Sequence, residues 1–198
     1  MLANSVQVTH SDVVELSQRV LAFDTLAQIA YEAEAKRNLQ TLIENNGISR
    51  AMKALAAAVS CGPVEIRARH LDAMATIFEK GEDEVLKEWF LYMGTPMPTV
   101  LLSLVQKPFP DLRMASLRTF ATLLSHPFGI KVFLETSGFL DWLLDRTSEQ
   151  EWEASKLKMD IIRSMIASES PLIDAALKLR LKAYFVTPSK DSTVEVML

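Results

Sequence analysis

Three histidines and one cysteine are the side chains with the plainest capacity for chemistry. His10, His70 and His126 are spread along the chain, and none has a Cys or a second His at ligand spacing. A structural zinc site asks for about four such ligands, so no metal is expected. His126 stands before Pro127 and reads as a helix end. Cys61 lies beside Gly62-Pro63 at a break. As a nucleophile it would need a neighbouring base and a site that favours the thiolate. A half-buried structural cysteine is the simpler expectation. No G-x-S-x-G elbow and no phosphate-cradling glycine loop is present, because the glycines are isolated. Glu32/Glu34 and the run Glu82-Asp83-Glu84 read as solvated helix starts or faces, with contact to a basic partner as the other use. No catalytic residue, metal or cofactor is therefore expected, and an enzyme reading has no convergent titratable set to rest on.

Trp89 and Trp142 accompany glycine corners and are expected in the core. Trp152 opens a helix and is expected at the surface, where tryptophan favours protein interfaces. Lys156, Lys158, Arg163, Lys178, Arg180 and Lys182 are scattered over 156–182 without the aromatic interleaving of a single-strand binder. They read as a solvated mixed face. The net charge of −4 argues against nucleic acid as partner. A lone cysteine points to a reducing compartment, and the first residues show no basic start followed by an apolar core. The charge-free run from Trp89 to Gln106 is broken by Pro96 and Pro98, so a buried helix corner is expected there and no membrane span.

The elements that must carry these residues are helical. The composition is 49% hydrophobic and 23% charged, which is enough apolar material for a core. Val13, Leu16, Val20, Phe23, Ala27 and Ala30 follow a 3,4 spacing from Asp12 onward and form one stripe. A short helix precedes Gly47, and a further one covers Ile48–Val59. After Cys61-Gly62-Pro63 the stripe resumes with Val64, Ala68, Leu71, Ala75 and Phe78, up to Lys80-Gly81. Shorter helices follow at 82–93 and 97–106. Beyond Pro108-Phe109-Pro110 comes a third stripe of Met114, Leu117, Ala121 and Leu124. Residues 126–146, HPFGIKVFLETSGFLDWLLDR, read as helix, glycine corner, helix. A helix over 151–167 and a last one over Leu172–Ala183 complete the pattern.

The corners recur. Glu44-Asn45-Asn46-Gly47-Ile48 matches Glu135-Thr136-Ser137-Gly138-Phe139, with a weaker copy ending at Gly94. The corner glycines are 47 and then 44 residues apart, the size of an armadillo or HEAT unit. Glu65-Ile66-Arg67 and Asp111-Leu112-Arg113 lie 46 apart, and Leu71/Leu117, Ala75/Ala121 and Ile77/Leu123 keep that offset. The expected fold is all-α: a right-handed, armadillo/HEAT-like solenoid of about four repeats over 11–183. Residues 1–10 are expected to be flexible and 184–198 extended or disordered, with 192–196 as a stray strand-like stretch. In a solenoid the inner helices line a concave face that binds protein. The inner helices would be Ile48–Val59, Met97–Gln106 and Gly138–Asp145. Their polar positions Arg50, Lys53, Ser103, Gln106, Asp141 and Asp145 are the candidate protein-binding residues.

HPFGIKVF, then GFLDWLLDR, then LRLKAYFV with Pro188 just after, resemble the C-terminal part of the proteasome non-ATPase regulatory subunit 5 family. The resemblance runs over roughly 12–190 and is strongest over 110–190. It implies an armadillo/HEAT-type chaperone that assists assembly of the 26S regulatory-particle base. Such a chaperone binds the C-terminal domain of one AAA ATPase subunit and blocks premature docking on the proteolytic core. It also implies a cytoplasmic protein, with the nucleus open as well, and family members about twice this length or more. A generic armadillo/HEAT adaptor with a different client is the alternative.

Overall fold

The computed structural model describes residues 10–42 and 47–186. Over these residues the chain is all-α, without strands. Eleven helices follow in a long-short-short order: α1 His10–Ile29, α2 Ala33–Leu42, α3 Gly47–Ser60, α4 Val64–Glu79, α5 Asp83–Tyr92, α6 Met97–Val105, α7 Pro110–Leu123, α8 Pro127–Leu134, α9 Phe139–Leu144, α10 Trp152–Ala167 and α11 Ala175–Val186. The last helix begins three residues later and ends three residues later than the sequence pattern suggests. The 44–46 part of the first glycine corner, residues 1–9 and the strand-like stretch 192–196 lie outside the described residues. None of the described helices is long and apolar enough to cross a membrane.

Two compact units divide the chain, Met1–Thr95 and Pro96–Leu198. In the first, α4 packs on α1 and α3, and α5 packs on α3. In the second, α7 packs on α6, α8 and α10, and α10 on α11. The long helices α1 and α4, and again α7 and α10, thus stack side by side, as a helical solenoid requires.

The apolar stripes are buried in part: Ala68, Phe78 and Leu124 are buried, whereas Leu16, Val20, Val64, Ala75, Met114 and Ala121 are half-buried. Phe23, Ala27 and Ala30 are buried on α1. Leu71 and Leu117 are both fully buried, and so are Ile77 and Leu123. Phe120 organises the second unit. Its ring meets Phe133 edge-on at 4.8 Å, stacks on Trp142 at 5.1 Å and lies 5.8 Å from Phe139. Trp89 and Trp142 are buried, whereas Trp152 is 72% exposed.

Two glycines set corners for different reasons. Gly138 has φ +80°, a left-handed conformation that L side chains resist, and it turns the chain into α9. Gly129 is needed for room: a Cβ there would sit 1.9 Å from the carbonyl oxygen of Leu123. Pro110 and Pro127 open α7 and α8 in the first turn, where the missing N–H has no intrahelical partner to lose.

Helix C-termini are served from outside. α3, α4, α6, α7, α9, α10 and α11 carry no basic residue in the last turn. Basic side chains from elsewhere reach most of these ends instead, supplying donors and positive charge to the orphan carbonyls. Arg67 Nε donates to Val59 O at the end of α3, 2.9 Å away. Its counterpart 46 residues on, Arg113, donates from Nη2 to Lys107 O just past α6, at 3.0 Å. Lys158 Nζ donates to Trp142 O in α9, Lys36 Nζ to Lys80 O after α4, and Lys178 Nζ to Ser168 O after α10. Arg146 Nη2 donates to Ala183 O and Tyr184 O of α11.

Candidate functional site

In the second unit, a cleft of about 440 Å³ lies where α6, α7, α9 and the segment after α9 meet. Val105 and Gln106 come from the end of α6, and Arg113 from the first turn of α7. Gly138, Asp141 and Trp142 come from the corner and α9; Asp145, Ser148 and Glu149 come from the segment that follows. Of the candidates chosen from sequence, Gln106, Asp141 and Asp145 therefore line one cleft. Ser103 is exposed on α6, where its hydroxyl donates to Val100 O. Arg50 and Lys53 are exposed on α3 of the first unit.

The wall of the cleft is held by two cations. Arg113 Nη1 lies 3.6 Å from Glu149 Oε2 in an ion pair whose carboxylate is nearly buried, and it donates to Ser148 O at 3.4 Å. Behind the cleft, Lys158 is fully buried. Its Nζ donates to Trp142 O, to Asp145 O at 2.7 Å and to Ser148 Oγ at 2.6 Å, and it sits 4.8 Å from the Trp142 ring centre. The sequence reading placed Lys158 on a solvated face, and the structure corrects this. Its partners are mainly main-chain carbonyls, so the ammonium is satisfied inside the unit. Burial lowers its pKa from 10.5 to about 8, against the opposing pull of Glu149 and Asp145. The Asp145 carboxylate accepts from Thr147 Oγ1 at 2.7 Å and from the Thr147 backbone N–H at 2.8 Å, which holds its pKa below the ordinary value.

Among the described residues, four buried side-chain polar atoms have no hydrogen-bond partner: His70 Nδ1, Arg113 Nε, Trp142 Nε1 and Glu149 Oε2. Three of them belong to residues of this one cleft. Buried polar groups are paired as a rule, so this concentration makes the cleft the candidate site.

The first unit has a smaller cleft, of about 250 Å³, lined by Cys61 and His70 among others. Cys61 is exposed rather than half-buried, because the chain breaks outward at Gly62-Pro63 directly after α3. The buried His70 ring packs edge-on against Phe23 at 5.2 Å, and burial lowers its pKa. Its Nδ1 has no partner, so no third group orients the ring as a nucleophile's base requires. Among the described residues no group of His, Cys, Asp and Glu is placed to hold a metal ion.

The model of the family described as proteasome non-ATPase 26S subunit matches residues 6–194. The chain belongs to this family. It is 23% identical over 190 residues to the human 26S proteasome non-ATPase regulatory subunit 5, covering 88% of this chain and 37% of the relative. It is 25% identical over 154 residues to the protein of that name from Drosophila melanogaster, covering 74% of this chain and 30% of the relative. The bovine relative matches at 22% over 189 residues. The chain thus spans between 30% and 37% of the length of these curated relatives. The Arg113, Trp142 and Glu149 cluster escaped the sequence reading. Arg113 stood out there only as part of a helix-start pattern, Trp142 as core, and Glu149 as one residue of a polar gap.

Proposed function

We propose that this chain is a protein-binding module of 26S proteasome assembly. It acts as a chaperone of the regulatory-particle base and grips the C-terminal domain of one AAA ATPase subunit. The armadillo/HEAT-type, right-handed stacking read from the sequence gives such a module its extended face. The work is done in the cytoplasm, without catalysis. The observation that carries this reading is the family match over residues 6–194, together with relatives named as proteasome regulatory subunits. The cleft in the second unit, with its unpartnered polar atoms, offers a receptive surface. Gln106, Asp141 and Asp145 contact the partner there, with Ser103 on α6 of the same unit, and Arg50 and Lys53 on α3 are the contact residues of the first unit.

Calorimetric titration of this chain against each isolated ATPase C-terminal domain tests the proposal. Binding to one domain at micromolar affinity or tighter, with the others silent, is the expected result. Silence from every domain overturns it for this stretch of chain.

A further inference from the structure

We propose that the cleft between α6, α7 and α9 is a subsite for a basic side chain, Lys or Arg, presented by a protein partner. The inference rests on the reading that the chain binds protein, and deepens it by naming what one cleft selects.

The unmet groups define the ligand. Arg113 Nε and Trp142 Nε1 are donors without an acceptor, and Glu149 Oε2, ion-paired with Arg113 Nη1 at 3.6 Å, accepts no hydrogen bond. Trp142 and Glu149 are more than nine-tenths buried, so water in bulk does not serve them. A ligand must bring at least one carbonyl-type oxygen and at least one N–H donor. An amino-acid residue within a peptide has the first in its main chain. The charge of the lining selects the second. Asp141, Asp145 and Glu149 contribute three carboxylates, and Arg113 is the one cation on the wall. Lys158 behind the wall is engaged with its own three acceptors. With Lys158 counted beside Arg113, three carboxylates face two cations, and the surplus of one negative charge disfavours a carboxylate or phosphate and favours an ammonium or guanidinium. Asp141 and Asp145 are exposed at the mouth, where an incoming cation meets them first. The volume of about 440 Å³ lies in the ordinary range for a small-ligand cleft, about 300–1,000 Å³.

The probe is N-acetyl-arginine methylamide, which carries both the cation and flanking carbonyls. N-acetyl-lysine methylamide, N-acetyl-citrulline methylamide and N-acetyl-aspartate methylamide serve as companions. The readout is the indole N–H resonance of Trp142 in the ¹⁵N-labelled full chain. The Trp89 and Trp152 indoles are internal controls. Arginine or lysine should move the Trp142 signal saturably, with Kd on the order of millimolar for so small a ligand. Citrulline and aspartate should not. Asp141→Asn, an exposed change, should weaken the arginine titration by about threefold, the scale of one exposed charge pair. A Trp142 signal that no cation moves overturns the subsite. So does one that citrulline moves equally, or that aspartate moves instead. Failure of the ATPase titration leaves these signals untouched, so the two readings fall separately.

Discussion

Among the described residues each unit buries one lysine, and the surroundings of the two ammoniums differ. Lys36 donates to Tyr31 O and Lys80 O, and it feels the carboxylates of Glu32 and Glu79 together with the opposing cation of Lys80. Lys158 has three acceptors and feels two carboxylates. Burial brings both to about 8 from 10.5. Around Lys36 the polar groups close on one another across one repeat. Tyr31 pairs with Glu79, Lys80 with Glu32, Arg37 with Glu82, Trp89 with Gln40 and Gln40 with Glu88, all between 45 and 49 residues apart. Around Lys158 the same kind of cap leaves Arg113 Nε, Trp142 Nε1 and Glu149 Oε2 unmet. A buried polar group without a partner costs about 1–3 kcal/mol. The first unit therefore uses its polar corner to hold helices together, and the second keeps part of that capacity for a ligand.

The largest contrast between the units should come from two glycines. Gly129→Ala puts a methyl 1.9 Å from the backbone oxygen of Leu123, which cannot swing aside as a side-chain end can. A loss of about 3 kcal/mol is expected, the upper part of the overpacking range. Gly62→Ala in the first unit meets nothing within 4 Å and bears only the strain of φ +111°, about 1 kcal/mol. Denaturant unfolding of both variants checks the pair. Equal losses would mean that the α7–α8 corner yields as readily as open chain.

Most of the fold was legible because its signals are local. The 3,4 stripes placed Leu71 and Leu117 in the core, the 46-residue match added Ile77 and Leu123, and Gly138 adopts the left-handed turn its position implied. The Arg67 and Arg113 match was visible as a repeat. Its purpose was not, since the partners are the carbonyls of Val59 and Lys107, and a carbonyl has no letter of its own. The same blindness put Lys158 on a solvated face. The cleft was half legible. Gln106, Asp141 and Asp145 were reached as polar positions on third helices. Trp142 and Glu149 were not, because whether an indole N–H or a carboxylate oxygen lacks a partner is a property of three-dimensional neighbours.

The two lysines give the next contrast. Lys158→Met strips donors from Trp142 O, Asp145 O and Ser148 Oγ, while Lys36→Met strips two carbonyls. Losses of about 2 and about 1 kcal/mol are expected, because relief of a desolvated charge offsets part of the unmet acceptors. The pH dependence is more telling. Each folded lysine binds its proton more weakly than the unfolded chain does. Its contribution to stability therefore rises as pH goes from about 8 toward 10.5 and is flat below that window. Each methionine variant should lose one share of that rise in alkaline unfolding curves. A variant that keeps the full rise would show that its lysine stays charged when folded.

The smallest effect belongs to the one unmet atom among the described residues of the first unit. His70 is buried against Phe23, and burial, then the nearby Arg19, lowers its pKa below 6.5, with Arg69 adding to the fall and Asp24 opposing it. The folded state again holds the proton more weakly than the unfolded one. Stability from this group is whole above the ordinary value of 6.5 and drains as pH falls below it, so the first unit should loosen on mild acidification. Amide exchange followed from pH 7.5 to 5.5 should show α1 and α4 losing protection, and His70→Leu should flatten that loss. If the leucine variant loses protection just as steeply, the buried ring is not what loosens the first unit on acidification, and the contrast between the units rests on their hydrogen-bond closure alone.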